Sequence, residues 1–232
     1  MPMDNGQWLM VNCGIGSNRN ATTWSKYTRP SMSCIAPPRT YPIIVWWTRP
    51  GVTVVNSPYL IGDKVYLRAL TKSDAPTIVP WINDPEVTRT ILHRPPINLE
   101  TEEQFIERAT KDEHSLILGI VIKATDQLIG ATGLDQIDFR NRHARFGIVI
   151  GDKPSWGHGY GSEATSLVVA HAFQTLNLTR VWLHVFEYNE RGIRIYEKLG
   201  FRREGLLRQD NYRDGRYWDT IVMGLLREEW RT

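Results

Sequence analysis

From Tyr59 onward the apolar positions of this chain recur with the periods of regular structure. Between Leu60 and Leu70, Val65 and Leu67 alternate with Lys64, Tyr66 and Arg68, the period of two expected of a half-buried strand. Thr71-Lys-Ser-Asp74 offers cap residues for a helix reaching Trp81, and Asn83-Asp84-Pro85 ends it. Thr101-Glu-Glu-Gln104 has the spacing of a capping box, which opens a second helix to about Thr110 with Phe105 and Ile106 inward. Three strands are predicted over 115–123, 128–137 and 143–151, separated by the turn residues Thr125-Asp126-Gln127 and Arg140-Asn141-Arg142. A helix from Gly159 to Leu176, a strand from Arg180 to Glu187, a helix from Glu190 to Leu199 and strands over 201–208 and 217–225 complete the pattern. With no internal repeat, this order predicts an α+β (mixed α/β) domain built on one central sheet.

Residues 1–56 differ in kind. They hold six of the 13 prolines and four of the 9 tryptophans with no sustained periodicity, so they are expected to form an irregular or disordered extension to a domain spanning 57–232. Pro42-Ile-Ile-Val-Trp-Trp47 and Val52–Val55 could each make a strand, but Pro42 and Pro50 interrupt them.

Charge follows the same division. The extension carries Arg19, Lys26, Arg29, Arg39 and Arg49 against Asp4 alone, so the net +3 of the chain belongs to it and the domain is nearly neutral. Without a dense Lys/Arg run, a nucleic-acid role for this arm ranks low. No apolar stretch approaches the length of a membrane span, and the N-terminus lacks the apolar core of a signal peptide, so a cytoplasmic protein is expected. The two cysteines, Cys13 and Cys34, make neither a disulfide framework nor a zinc cluster, and no metal is expected.

The chemistry-bearing stretch is Arg145-Phe-Gly-Ile-Val-Ile-Gly151 followed by Trp156-Gly-His-Gly-Tyr-Gly-Ser-Glu-Ala164, a strand, a glycine-dense turn and a helix start in succession. Glycines let a backbone approach an anion closely, and a helix N-terminus supplies unpaired N–H groups and partial positive charge. A dinucleotide fingerprint laid on Gly157 and Gly159 would need a third glycine where Ser162 stands, and no P-loop sequence is present. Downstream, Asn189 ends a strand, Tyr196 lies seven residues on, and Glu197-Lys-Leu-Gly-Phe201 follows.

These three linked motifs resemble the GNAT superfamily of acetyl-CoA-dependent N-acetyltransferases over about Leu60 to Trp230, closest to the branch of ribosomal-protein N-terminal and spermidine acetyltransferases. The resemblance implies a mostly antiparallel twisted sheet of about seven strands with flanking helices and one splayed strand pair that binds acetyl-CoA. It implies cofactor contacts from Ile148, Val149 and Ile150, and a pyrophosphate cradle of Trp156, Gly157, His158, Gly159, Tyr160, Gly161 and Ser162. Asn189 would hydrogen-bond the pantetheine amides, and Tyr196 would protonate the leaving thiolate. For the base that deprotonates the amine, Glu187 and Asp135 are the candidates, with His114 and His184 as further possibilities. This branch often carries a glutamate where Arg145 stands, so a base from that position is lost. One arginine of Arg191, Arg194, Arg202 and Arg203 would meet the adenosine 3′-phosphate. The implied activity is direct acetyl transfer to an amine (a protein N-terminus, a polyamine or another small amine) in a ternary complex, with homodimers common in the family. The alternatives are a non-catalytic acetyl-CoA-binding module and, lower, a nucleic-acid-associated protein.

Overall fold

The computed structural model describes residues 57–91 and 96–231; the expectations for residues 1–56 fall outside the described residues. The strands are β1 (Leu60–Ile61), β2 (Val65–Ala69), β3 (Leu116–Ile122), β4 (Gln127–Asp138), β5 (His143–Ile150), β6 (Arg180–Phe186), β7 (Arg202–Arg213) and β8 (Arg216–Leu226). The helices are α1 (Ala75–Ile82), α2 (Leu99–Lys111), α3 (Tyr160–Gln174) and α4 (Glu190–Lys198). The strands form one sheet of eight in the order β1-β2-β3-β4-β5-β6-β8-β7. Every pairing is antiparallel except β5 with β6. The sheet has eight strands rather than about seven because the predicted strand at 60–70 breaks at Gly62, whose N–H donates to the Val65 carbonyl at 2.9 Å in a tight turn.

Helix α2 starts earlier than the Thr101 box suggests. Asn98 is its N-cap, and its side chain accepts the N–H of Thr101 at 2.9 Å. The Thr71–Asp74 segment first forms a 3₁₀ turn closed by a capping box, and α1 follows it.

Both faces of the sheet are covered. Strand β3, Leu-Ile-Leu-Gly-Ile-Val-Ile, is apolar throughout because it is buried on both sides. On one face α3 packs Val168, Ala172 and Phe173 over Leu67, Ile120 and Val181. On the other, α1 and α2 set Ile78 and Ile106 against Leu70. Each such fully buried aliphatic side chain contributes roughly 1.5–3 kcal/mol. Among the described residues no helix is long and apolar enough to cross a membrane.

Strand parity decides which face each site residue meets. On β5, Ala144 and Phe146 enter the α3-side core and Ile148 and Ile150 pack against it, so Arg145, Gly147 and Val149 face the opposite side. On β6, Val181, Leu183 and Val185 enter that same core, which turns Trp182 and His184 to the side of Arg145.

Candidate active site

Strands β5 and β6 pair only over His143–Arg145 and Arg180–Trp182, then part. The gap opens into a cavity of about 770 Å³ lined by β5 residues Phe146–Ile150, β6 residues His184–Phe186, the loop before α3 and the first turns of α3 and α4. The parting leaves β5 with backbone groups that no strand among the described residues takes up. Gly151 N–H donates to the Ile129 carbonyl at 2.9 Å, and the register pairs Val149 with Ala131 and Gly147 with Gly133. Alternation along an antiparallel ladder therefore aims the N–H and C=O of Ile148 and Ile150 into the gap. The Ile150 carbonyl is occupied by the Trp156 indole N–H at 2.9 Å.

The turn before α3 is shaped by two left-handed glycines, Gly157 (φ +92) and Gly159 (φ +86), a conformation that costs another residue about 1–2 kcal/mol. Gly159 is the N-cap of α3 and its carbonyl accepts from Glu163 N–H. Among the described residues, no protein acceptor takes the N–H groups from Gly157 to Ser162, which therefore remain available to an anion. A Cβ built on Gly157 meets nothing within 4 Å, so the approach is open. At Gly161 the same test meets Ile150 Cγ1 at 3.6 Å and Ile148 Cδ1 at 3.8 Å, which packs the start of α3 directly on β5.

Two contacts hold this turn to the sheet. Glu163 Oε1 accepts the backbone N–H of Lys64 at 2.9 Å, and Lys64 Nζ donates to the His158 carbonyl at 3.2 Å. The His158 ring stacks on Tyr160 and does not line the cavity. Over the other end lies the segment from Glu86 to Ile91. It is fixed by Lys153, which pairs with Asp84 and Glu86 at 2.7 Å each, and by the Tyr188 hydroxyl, which donates to the Arg89 carbonyl at 2.8 Å.

Ile148, Val149, Ile150, Trp156, Gly157, Gly159, Tyr160, Gly161, Ser162, Asn189, Tyr196 and Asp135 all line this one cavity. Tyr196 stands on the α3 face, edge-on to Phe146 and Phe201 with ring centroids 6.3 and 5.8 Å away. Burial pushes its phenol up to about 12, so it is protonated at neutral pH. Asn189 also caps α4, its Oδ1 accepting from Gly192 N–H at 3.0 Å. Asp135 reaches the cavity but is held by Arg145 through two hydrogen bonds, of 2.7 and 2.6 Å. Glu187 is not brought in. It lies beyond the end of β6 against a separate depression with Glu190 and Ile193, and its Oε1 accepts the Asp219 N–H at 3.0 Å. His114 also stays outside, its Nδ1 2.7 Å from the Ile137 carbonyl. Of the four arginines, Arg194, Arg202 and Arg203 pair with Glu190, Glu229 and Glu197, while Arg191 lines the cavity with no ion pair among the described residues. Lys198 does the same about two turns further along α4.

The cavity also gathers Asp210 of β7, Lys198 of the Glu197–Phe201 motif, His184, which was among the possible bases, and Thr220 of β8, which carried no signal in the sequence.

The comparisons agree with this geometry. Residues 64–202 match the family model described as an acetyltransferase (GNAT) domain, and the chain belongs to that family. It is 33% identical over 176 residues to the uncharacterized N-acetyltransferase YoaA of Bacillus subtilis, covering 73% of this chain and 97% of that one. It is 26% identical over 170 residues to the spermidine N(1)-acetyltransferase of Vibrio cholerae, covering 73% of this chain and 97% of that one. The crystal structure of spermidine N-acetyltransferase from Vibrio cholerae in complex with CoA and spermine superposes with a TM-score of 0.68 at 26% identity, over 72% of this chain and 98% of that one. Fold and family thus define an N-acetyltransferase.

Proposed function

We propose that this protein transfers the acetyl group of acetyl-CoA to a primary amine, on a protein N-terminus, a polyamine or another small amine, by direct attack in a ternary complex. The observation that carries the reading is the run of free amides from Gly157 to Ser162, set at the mouth of the gap where β5 leaves β6. The diphosphate would lie on those amides, where the dipole of α3 adds roughly 0.3–1 kcal/mol or more when partly buried. Arg191 and Lys198 supply cationic side chains to the same end. The pantetheine arm would pair with the N–H and C=O of Ile148 and the N–H of Ile150, as an added strand, with Asn189 opposite.

Chemistry then falls where the gap closes, beside Phe146. A backbone N–H of β5 polarises the thioester carbonyl. The nitrogen lone pair attacks that carbon, the C–S bond breaks, the Tyr196 hydroxyl gives its proton to the departing sulfur, and the nitrogen releases its extra proton to leave a neutral amide and restore the phenol. Burial raises the Tyr196 phenol to about 12, so it keeps its proton until negative charge develops on the sulfur.

Titration calorimetry with acetyl-CoA, followed by thiol release with a panel of amines, tests the reading. Micromolar binding with turnover on at least one amine is expected. Binding with no turnover on any amine would make the protein an acetyl-CoA-binding module.

A further inference from the structure

The amine must be free of its proton before it attacks, and neither carboxylate suggested by the sequence is placed to take that proton. Asp135 is engaged by Arg145 through both oxygens, and Glu187 lies outside the cavity. Glu86 is ion-paired to Lys153. On the Arg145 face of the gap, however, three polar side chains line the cavity with no hydrogen bond or ion pair to another residue among those described: His184, Asp210 and Thr220. Thr220 is the most telling, since it is 1% exposed and its Oγ1 lacks any partner. A buried hydroxyl in that condition is destabilising unless something else bonds it. The register Phe186↔Thr220 and His184↔Val222 puts Thr220 on the same face as His184, two pairs along the ladder. That face is opposite the one Tyr196 occupies, so the two sides of the split present separate groups to the two ends of the reaction.

Resting on the acetyltransferase reading above, we propose that the acceptor amine docks on this face among His184, Asp210 and Thr220, and that His184 takes its proton. One N–H bond of the ammonium breaks toward an imidazole nitrogen, and the freed lone pair forms the C–N bond as the C–S bond breaks and Tyr196 protonates the sulfur from the other face; the second proton of the new amide nitrogen then passes through solvent to the phenolate, and the imidazolium returns its proton to solvent. Asp210 is a positioning residue that draws the ammonium in and steadies the imidazolium. Thr220 accepts from, or donates to, the acceptor itself.

The charges around His184 suit this task. Arg145 faces it from β5, itself paired with Asp135 of β4, and Asp210 faces it from β7, while β8 presents Val222 and Thr220. Burial and, less strongly, the Arg145 charge hold the imidazole below its ordinary value, and Asp210 opposes them. The ring is therefore neutral and able to accept at pH 7, and it becomes protonated and inactive on the acid side.

The test is the pH profile of kcat/KM for the full chain with acetyl-CoA and two probe amines, spermidine and phenethylamine, in wild type, His184→Gln, Asp210→Asn and Thr220→Val. His184→Gln should lower kcat/KM about 100-fold or more and abolish the acid limb, with acetyl-CoA affinity unchanged. Asp210→Asn should raise the acceptor KM about tenfold. It should also move the acid limb to lower pH, because the one anion favouring imidazolium is gone. Thr220→Val should raise the acceptor KM and leave the limb in place. A His184→Gln enzyme that turns over with the wild-type limb overturns this assignment and leaves the acetyltransferase reading standing. Wild-type protein that binds acetyl-CoA and acetylates neither amine, nor any in the panel, overturns both.

Discussion

Asp135 and Arg145 face each other across β4 and β5 with their planar groups joined by two hydrogen bonds, Nε to Oδ1 at 2.7 Å and Nη2 to Oδ2 at 2.6 Å. The fork fixes both side chains and raises the Arg145 guanidinium above its ordinary value through the bond to Asp135. A carboxylate so engaged serves to neutralise Arg145 beside His184. Asp135→Asn should cost about 1 kcal/mol by urea denaturation, as expected of a half-exposed pair. With Arg145 uncompensated next to His184, the acid limb of kcat/KM should shift to lower pH. Complete loss of that limb in this variant would return the base to Asp135.

Gly159 is an N-cap in the left-handed region, and a Cβ built on it has Lys64 Nζ, at 3.6 Å, as its sole neighbour within 4 Å. Gly159→Trp should therefore fold, at a strain of about 1–2 kcal/mol, while its indole covers the free amides. Acetyl-CoA affinity should fall by about 100-fold or more, equivalent to about 3 kcal/mol. Calorimetry checks this, and unchanged affinity would remove the turn from the binding site.

Tyr196→Phe keeps the edge contacts to Phe146 and Phe201 and deletes only the hydroxyl. Turnover should drop about 100-fold, with acetyl-CoA affinity and melting temperature little changed. A thiol-release assay at saturating acetyl-CoA measures it. A wild-type rate would mean that solvent protonates the sulfur.

His171 is 6% exposed on α3, its Nε2 3.3 Å from the Tyr59 hydroxyl, and burial holds its imidazole below the ordinary value. The unfolded chain therefore binds the proton more readily than the folded one. The stability this provides is complete above the unfolded value of about 6.5 and is lost as pH falls through the folded one, with a slope of up to about 1.4 kcal/mol per pH unit. Urea midpoints measured between pH 5 and 7.5 should fall toward the acid end, and His171→Gln should flatten the decline.

The glycine turn was legible in the sequence because its shape rests on the main chain. An anion cradle requires missing Cβ atoms at fixed spacing, and Gly157, Gly159 and Gly161 state that directly. Tyr196 and Asn189 were legible through their spacing from that turn. The two carboxylates suggested as bases were a different matter. Whether Glu187 enters the cavity depends on where β6 ends and on its side chain turning to Asp219, neither of which residue type reveals. Asp135 reads as a free acid until β5 brings Arg145 into register with it.

By itself, the order of apolar periods determined the helices and strands and the one sheet they make, since period two and period 3.6 bury different faces. It also determined the place of the amide turn. Only the tertiary structure decided that β5 and β6 separate after three paired residues and that β7 closes the sheet's edge beyond β8. It alone set His184, Asp210 and Thr220, drawn from three strands, on one face of the opening. Convergence of that kind arises from hydrogen-bond register between segments far apart in the chain, and register is fixed when the strands pair.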